Sequence, residues 1–164
     1  LIKRTLWIFE SVSLTSFEPH GHNKRHCFLD FNNSANQIFF GALFRLMQVC
    51  SIAGWMRTSL AISRYTLSLD PLRDPRGVLI VMDYFALSTM RPEYVRFVVE
   101  LVDSKRVGLF FKDEEGNIHT GTLLDMPNWA YSYSLALFRL AQDGDTDCLD
   151  MAKKSLGNAV RNFP

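Results

Sequence analysis

The stretch 54-GWMRTSLAISRYTLSLDP-71 decides the expected fold, because it has the form of the second half of a helical hairpin. Gly54 supplies an opening turn, and Asp70-Pro71 closes the segment. Between them, residues at helical spacing form one stripe: Trp55, Ser59, Ile62, Thr66 and Leu69. We therefore predict a helix over residues 55–69 that packs closely against a preceding helix.

The small residues of this stripe are typical of the tetratricopeptide (TPR) repeat, in which small side chains let the two helices of a hairpin cross closely and a proline ends the unit. Counted back from Pro71, Ser59 and Thr66 occupy the small positions. The same spacing recurs at the end of the chain in Ala152, Ala159 and Pro164. The sequence thus predicts an all-α fold of TPR-like antiparallel helical hairpins, an α-solenoid with degenerate repeats.

The other helices are predicted from apolar periodicity and from capping signals. Residues 1–13 have the pattern of an amphipathic helix, and residues 14–33 that of a long connection. Ser34 followed by Gln37 is a capping-box signature that opens a nearly buried helix to about residue 52. Residues 78–82 alone fit a buried strand, but their neighbours favour a helix. The predicted starts of the later helices are Asp74, with Pro75 in the first turn, then Pro92, Asn128 and Thr146.

Residues 107–122 interrupt the helical pattern. Two short β-prone runs flank Glu115-Gly116-Asn117, which is a turn sequence. We predict a small β-hairpin insertion here.

Length and composition set the domain organisation. A chain of 164 residues, 48% of them hydrophobic, can bury one good core, so we expect a single helical-repeat domain over residues 1–164. The absence of an initial Met and the 13 Phe residues indicate an excerpt of a longer protein. The net charge of +1 provides no field to attract nucleic acid or an anionic membrane, so neither is an expected partner.

The three cysteines are odd in number and far apart, which fits free thiols in a reducing compartment. No apolar run is long enough to cross a bilayer. We expect the protein in the cytoplasm, and in the nucleus as a second location.

Ligand-type side chains cluster once, in His20, His22, His26 and Cys27. Their spacing matches no closed zinc pattern, because structural zinc sites pair two separated ligand couples. No nucleophile-elbow glycines surround a serine, and no glycine-rich phosphate loop is present. We expect no metal site, no cofactor and no catalytic site.

Five residues are candidates for a protein-binding surface. Asp83 is a carboxylate within an apolar helix and must be paired or exposed; a structural hydrogen bond is the main alternative to a partner contact. Arg57 and Arg64 lie two turns apart on the polar side of the 55–69 helix, either as a solvated face or as a recognition surface. Trp129 and Tyr131 begin an aromatic helix, in which core packing is the alternative for at least two of Trp129, Tyr131 and Tyr133.

Three blocks of this chain resemble the transcription-factor-25 family, whose fungal members are subunit one of the ribosome quality control complex. They are GWMRTSLAISRYTLSLDPLRDP, VLIVMDYFALSTMRPEYVRFV and MPNWAYSYSLALFRLA. The segments LIKRTLWIFE and NSANQIFFGALFRLM fit the same family in the same order. The resemblance covers most of this chain and only an inner part of the longer family proteins.

The resemblance implies a non-enzymatic adaptor that joins a RING-type ubiquitin ligase on stalled large ribosomal subunits. Such an adaptor helps to direct ubiquitination of the nascent chain, its extraction by a hexameric ATPase and its degradation. Periodicity alone supports only a helical-repeat interaction module. The first alternative is therefore a generic TPR-like scaffold, and the resemblance itself also implies a nuclear transcriptional co-repressor as an alternative.

Overall fold

A computed structural model describes residues 2–12, 29–105, 107, 109–112, 118–144 and 147–164. The chain divides into two compact units, residues 1–82 and 83–164. The expectation of a single repeat domain stays a prediction, and each unit is described by itself. The His20 to Cys27 cluster, the 113–117 turn and the cap expected at Thr146 lie outside the described residues.

The first unit is built on three helices: α1 (Ile2–Val12), α2 (Ser34–Ile52) and α3 (Met56–Leu69). Gly54, with φ +79°, makes the turn between α2 and α3, as the sequence predicts. The core contains Phe39, Phe40 and Leu43 of α2 together with Leu69 of α3. Leu6 of α1 packs against this core, so all three helices share it.

The small residues of α3 lie where α3 crosses α2. Ser59, Ser63 and Thr66 are fully buried. The Ser59 hydroxyl donates to the backbone oxygen of Met47 at 3.2 Å, and these two residues lie on opposite sides of the turn at Gly54. This contact shows an antiparallel hairpin with close backbones. Trp55, in contrast, is 63% exposed, so its expected place in the buried stripe was wrong. Trp55 precedes the first turn of α3 and has non-helical backbone angles, so the helical spacing of the stripe does not determine where its side chain lies.

Two helix starts differ from the sequence expectation. The cap of α2 is Asn33, whose side-chain oxygen accepts from the Ala35 amide at 3.0 Å, rather than Ser34. Helix α4 (Leu79–Ser88) starts one turn later than predicted. Asp74 still supplies its capping bonds, because its carboxylate accepts from the amides of Val78 and Leu79 at 2.9 Å each. Pro75 therefore lies in the loop, and the stretch expected as helix rather than strand is helical from Leu79.

The second unit contains most of α4, α5 (Pro92–Asp103), β1 (Leu109–Lys112), β2 (Ile118–Gly121), a 3₁₀ turn (Leu123–Asp125), α6 (Pro127–Gln142) and α7 (Asp147–Asn162). Helix α6 begins at Pro127, next to Met126 as cap residue, and the expected cap Asn128 lies inside it. Gly144, with φ +112°, lies in the turn before α7. Ala152 and Ala159 of α7 are buried, as their place in the hairpin frame predicts.

The insertion predicted at 107–122 is a β-hairpin. Strands β1 and β2 pair antiparallel, with Leu109 opposite Gly121 and Lys112 opposite Ile118. The two strands form a two-stranded sheet. The Thr122 backbone amide then donates to the Asp125 carboxylate at 2.6 Å, which closes a capping box at the 3₁₀ turn that leads into α6.

The described residues therefore form a mostly helical protein with seven α-helices and one hairpin of strands, in agreement with the all-α prediction. The α2–α3 and α6–α7 pairs are helical hairpins. A TPR-like solenoid arrangement stays a prediction.

Candidate protein-binding surface

The two candidate arginines of the first unit share one exposed face of α3. Arg57 and Arg64 are both exposed and seven residues apart, which is two turns or about 10 Å along the helix axis. The opposite face of α3 carries the buried Ser59, Ser63 and Thr66. The face of α3 that packs against α2 therefore leaves both arginines pointing outwards on the other side of the helix.

Asp83 is buried within the second unit, at 3% exposure, and is satisfied there. Its carboxylate oxygens accept from Asn128 Nδ2 at 3.1 Å and from Ser132 Oγ at 2.6 Å. Both donors are on α6, so the structural hydrogen bond considered as the alternative is present, with side chains as donors. A buried carboxylate held by two donors fixes α4 against α6 and offers no accessible charge to a partner.

The aromatic side chains of α6 divide between core and surface. Trp129 is completely buried and Tyr133 is nearly so, which agrees with the expectation that at least two of the three aromatics pack in the core. Tyr131 is 38% exposed, and its hydroxyl donates to the Phe163 backbone oxygen at 2.7 Å. Of these three aromatics, Tyr131 is the one that contributes to an accessible surface.

Tyr133 is a buried phenol whose pKa is raised. Burial raises the pKa of the Tyr133 phenol to about 12, and the hydrogen bond that it donates to Asp103 at 2.8 Å acts in the same direction. The phenol therefore stays protonated at neutral pH and joins α6 to the C-terminal end of α5.

Asp70, at the end of α3, is a buried carboxylate of a different kind. Burial raises the pKa of Asp70 above the ordinary value of 3.8, and the nearby Arg73 opposes this in part. Among the described residues, neither carboxylate oxygen has a donor within hydrogen-bonding distance and angle. The carboxyl group also lies at a helix C-terminus, where negative charge is unfavourable.

The sequence missed an exposed apolar groove between α6 and α7, which we call the α6–α7 groove. It has a volume of about 570 Å³ and is lined mainly by apolar side chains. The main lining residues are Tyr131, Leu135, Phe138, Leu149, Lys153 and Leu156. A signal was available, because α7 carries more large apolar residues than one contact with α6 can cover.

Neither a metal cluster nor a membrane span is found in the part of the chain that the structure describes. No three His, Cys, Asp or Glu side chains of these residues come together as a group that could hold a metal ion. None of the described helices combines the length and the apolar character that crossing a bilayer requires.

These features define a mainly helical protein built from hairpins, with exposed cationic and apolar surfaces on separate units. The chain matches the Tcf25 family, described as "Transcriptional repressor TCF25", over residues 1–164. It belongs to that family.

Three relatives illustrate the range of the family. The chain is 33% identical over 146 residues to the human "Ribosome quality control complex subunit TCF25", which covers 88% of this chain and 19% of the relative. It is 29% identical over 167 residues to "Probable transcription factor claV" of Ampulloclitocybe clavipes, covering 99% and 20%. The Dictyostelium discoideum "Ribosome quality control complex subunit TCF25" is 26% identical over 142 residues, covering 87% and 17%.

The chain thus spans about a fifth of the length of these relatives. No solved structure matches it. The family assignment agrees with the resemblance drawn from the three sequence blocks. At family level, the names of the relatives support a role in ribosome quality control.

Proposed function

We propose that this chain is the inner helical part of a non-enzymatic adaptor in ribosome quality control. In this proposal the adaptor works with a RING-type ubiquitin ligase on stalled large ribosomal subunits. It directs ubiquitination of the nascent chain, which a hexameric ATPase then extracts for degradation. Its place of action is the cytoplasm.

The main support for this proposal is that the chain belongs to the Tcf25 family. The human, mouse and Dictyostelium relatives are all named as the TCF25 subunit of the ribosome quality control complex. The similarity to them covers 87–88% of this chain.

The mechanism that we propose is positioning without chemistry. A rigid surface that holds an acceptor ubiquitin beside the ligase raises the effective concentration of one amine, and orientation of this kind is worth several kcal/mol of barrier. Arg57 and Arg64 are our candidates for such a contact, because both are exposed on a helix whose other face is anchored by buried residues. Tyr131 is the candidate on the second unit.

The test is a reconstituted ligase reaction on a stalled large-subunit complex with the intact protein. The distribution of ubiquitin linkages is read by mass spectrometry, and co-purification of ligase and large subunit is measured in parallel. Addition of the protein should change the linkage distribution. Unchanged linkages together with no co-purification would contradict the proposal.

A matched pair of variants tests the surface separately. Arg57→Ala with Arg64→Ala should reduce the linkage effect, whereas Arg96→Ala, an exposed arginine on α5, should not. If the double variant equals the wild type while the protein still co-purifies, the adaptor role stands and the α3 surface is not the contact.

A second candidate function is a nuclear transcriptional co-repressor. The family description and the name of the claV relative favour it, and that relative is similar over 99% of this chain. The co-repressor would use the same helical hairpins as a scaffold for protein partners. Localisation of the tagged intact protein decides between the two, since enrichment on chromatin without large subunits would favour repression.

A further inference from the structure

Helix α7 presents two different faces, of which one is covered by α6. The covered face consists of the small residues Ala152 and Ala159, both at most 5% exposed. The Ser155 hydroxyl also bonds to that of Ser134 on α6 at 2.9 Å. These contacts complete the hairpin between the two helices.

The second face of α7 carries larger apolar residues that the hairpin leaves open. Leu149, Leu156 and Val160 are spaced as i, i+7 and i+11, which is the spacing of a helix-packing stripe. Leu156 is 47% and Val160 52% exposed. Leu149 and Leu156 of this stripe line the α6–α7 groove together with Leu135 and Phe138 of α6. The stripe is about 17 Å long, which corresponds to three turns of a helix.

Gly157 follows Leu156 of this stripe and lowers the stability of α7. No contact within the hairpin requires a glycine at this position. A glycine inside a helix costs roughly 0.5–1 kcal/mol relative to alanine. A Cβ at Gly157 would have no atom within 4 Å, so the hairpin itself does not require a glycine there. Glycine on an outer helix surface lets another backbone approach closely, as at the crossing of packed helices. A helix that approached this side of α7 would therefore meet no side chain at position 157.

The charge at the groove indicates which charged side chains the incoming helix should carry. Helix α7 carries Asp147 and Asp150 in its first turn and the exposed basic residues Lys153, Lys154 and Arg161 after it. Lys153 lines the groove itself. Its contact with Asp150, at 3.5 Å and largely exposed, is weak. A carboxylate on an incoming helix would therefore find a cation available beside an apolar surface.

We propose that the α6–α7 groove binds an amphipathic helix of a partner protein, with an apolar stripe seated between α6 and α7 and acidic residues on the flank that meets Lys153. This is recognition of a helix in an apolar groove, with charge setting the orientation. The site belongs to the second unit alone and does not depend on the proposed ligase partnership.

The test uses the intact protein and a synthetic probe. The probe is a fluorescein-labelled amphipathic peptide of about four helical turns, with leucines along one stripe and glutamates on one flank. A second peptide carries lysines in place of the glutamates. Binding is read by fluorescence anisotropy, and circular dichroism confirms the fold of each variant. The wild-type protein should bind the acidic peptide at least tenfold more tightly than the basic one.

Matched variants locate the site. Leu156→Asp should weaken binding at least tenfold, whereas Met151→Asp, with a similar exposure of 49% on another face of α7, should change it less than twofold. Lys153→Glu should reverse the preference between the two peptides. Gly157→Ala should weaken binding and raise the thermal midpoint, whereas the neighbouring Asn158→Ala should raise the midpoint without weakening binding.

Three outcomes would overturn the proposal. One is that the intact protein binds neither peptide, because another part of the longer chain then covers the groove. Another is equal loss of binding in Leu156→Asp and Met151→Asp. The third is an unchanged peptide preference in Lys153→Glu. Since Lys153 and Gly157 are exposed, their variants keep the test decisive even where Leu156→Asp does not fold.

Discussion

The close crossing of α2 and α3 makes Ser59→Leu the sharpest test of the hairpin. Ser59 is completely buried, and its hydroxyl reaches the Met47 backbone oxygen at 3.2 Å. The substitution replaces a hydroxymethyl by an isobutyl group at a point where two helix backbones nearly touch. Overpacking of this kind costs about 1–3 kcal/mol, and the lost hydrogen bond costs about 1 kcal/mol more. The free energy of unfolding should fall by about 2–4 kcal/mol in total.

The assay is urea denaturation followed by circular dichroism, together with a thermal scan, in which the midpoint should fall by roughly 4–16 °C. Ala61→Leu is the matched control, because Ala61 is exposed on the same helix and because alanine and leucine are both good helix formers. Its midpoint should stay near that of the wild type. Equal midpoints for Ser59→Leu and Ala61→Leu would show that α3 does not pack closely at Ser59.

Asp83, Asp70 and the β-hairpin provide three more expectations. Asp83→Ala should lower the free energy of unfolding by about 1–3 kcal/mol, because it leaves two α6 donors without their acceptor; the exposed Asp150→Ala is its control, and equal effects would contradict the argument. Asp70 has a raised pKa in the folded state. Its contribution to stability is therefore fully present below pH 3.8 and is lost as the pH rises through the pKa of the folded state. Asp70→Asn should therefore gain stability over the wild type from acidic to neutral pH, and parallel pH profiles would refute this. Replacement of residues 109–121 by a short Gly/Ser linker should keep the thermal midpoint, because a two-stranded hairpin of four-residue strands is at best marginally stable by itself; loss of cooperative unfolding would show that the hairpin covers core.

Family membership could be inferred from the sequence because several blocks match in the same order. The candidate surface could be predicted less well. Arg57 and Arg64 were placed correctly on the exposed side of α3, since one apolar stripe determines both faces of a helix. The α6–α7 groove was not predicted, although the small residues Ala152 and Ala159 of α7 were placed correctly. Periodicity shows which large apolar residues lie on one side of a helix. It does not show how much of their surface a neighbouring helix covers.

Local signals decided most of the secondary structure. The turn at Gly54, the helical spans on either side and the 107–122 hairpin depend on interactions within a few residues, so the sequence alone was sufficient to predict them. The burial of Ser59 and Ala159 also followed, because small residues at fixed spacing from a turn predict a close crossing.

Long-range contacts decided the rest. The sequence shows that Asp83 needs a partner, but Asn128 and Ser132 lie 45 and 49 residues away, and only the packing of α4 on α6 brings them together. A side chain is buried only when a distant segment covers it, and no local pattern records which segment that is.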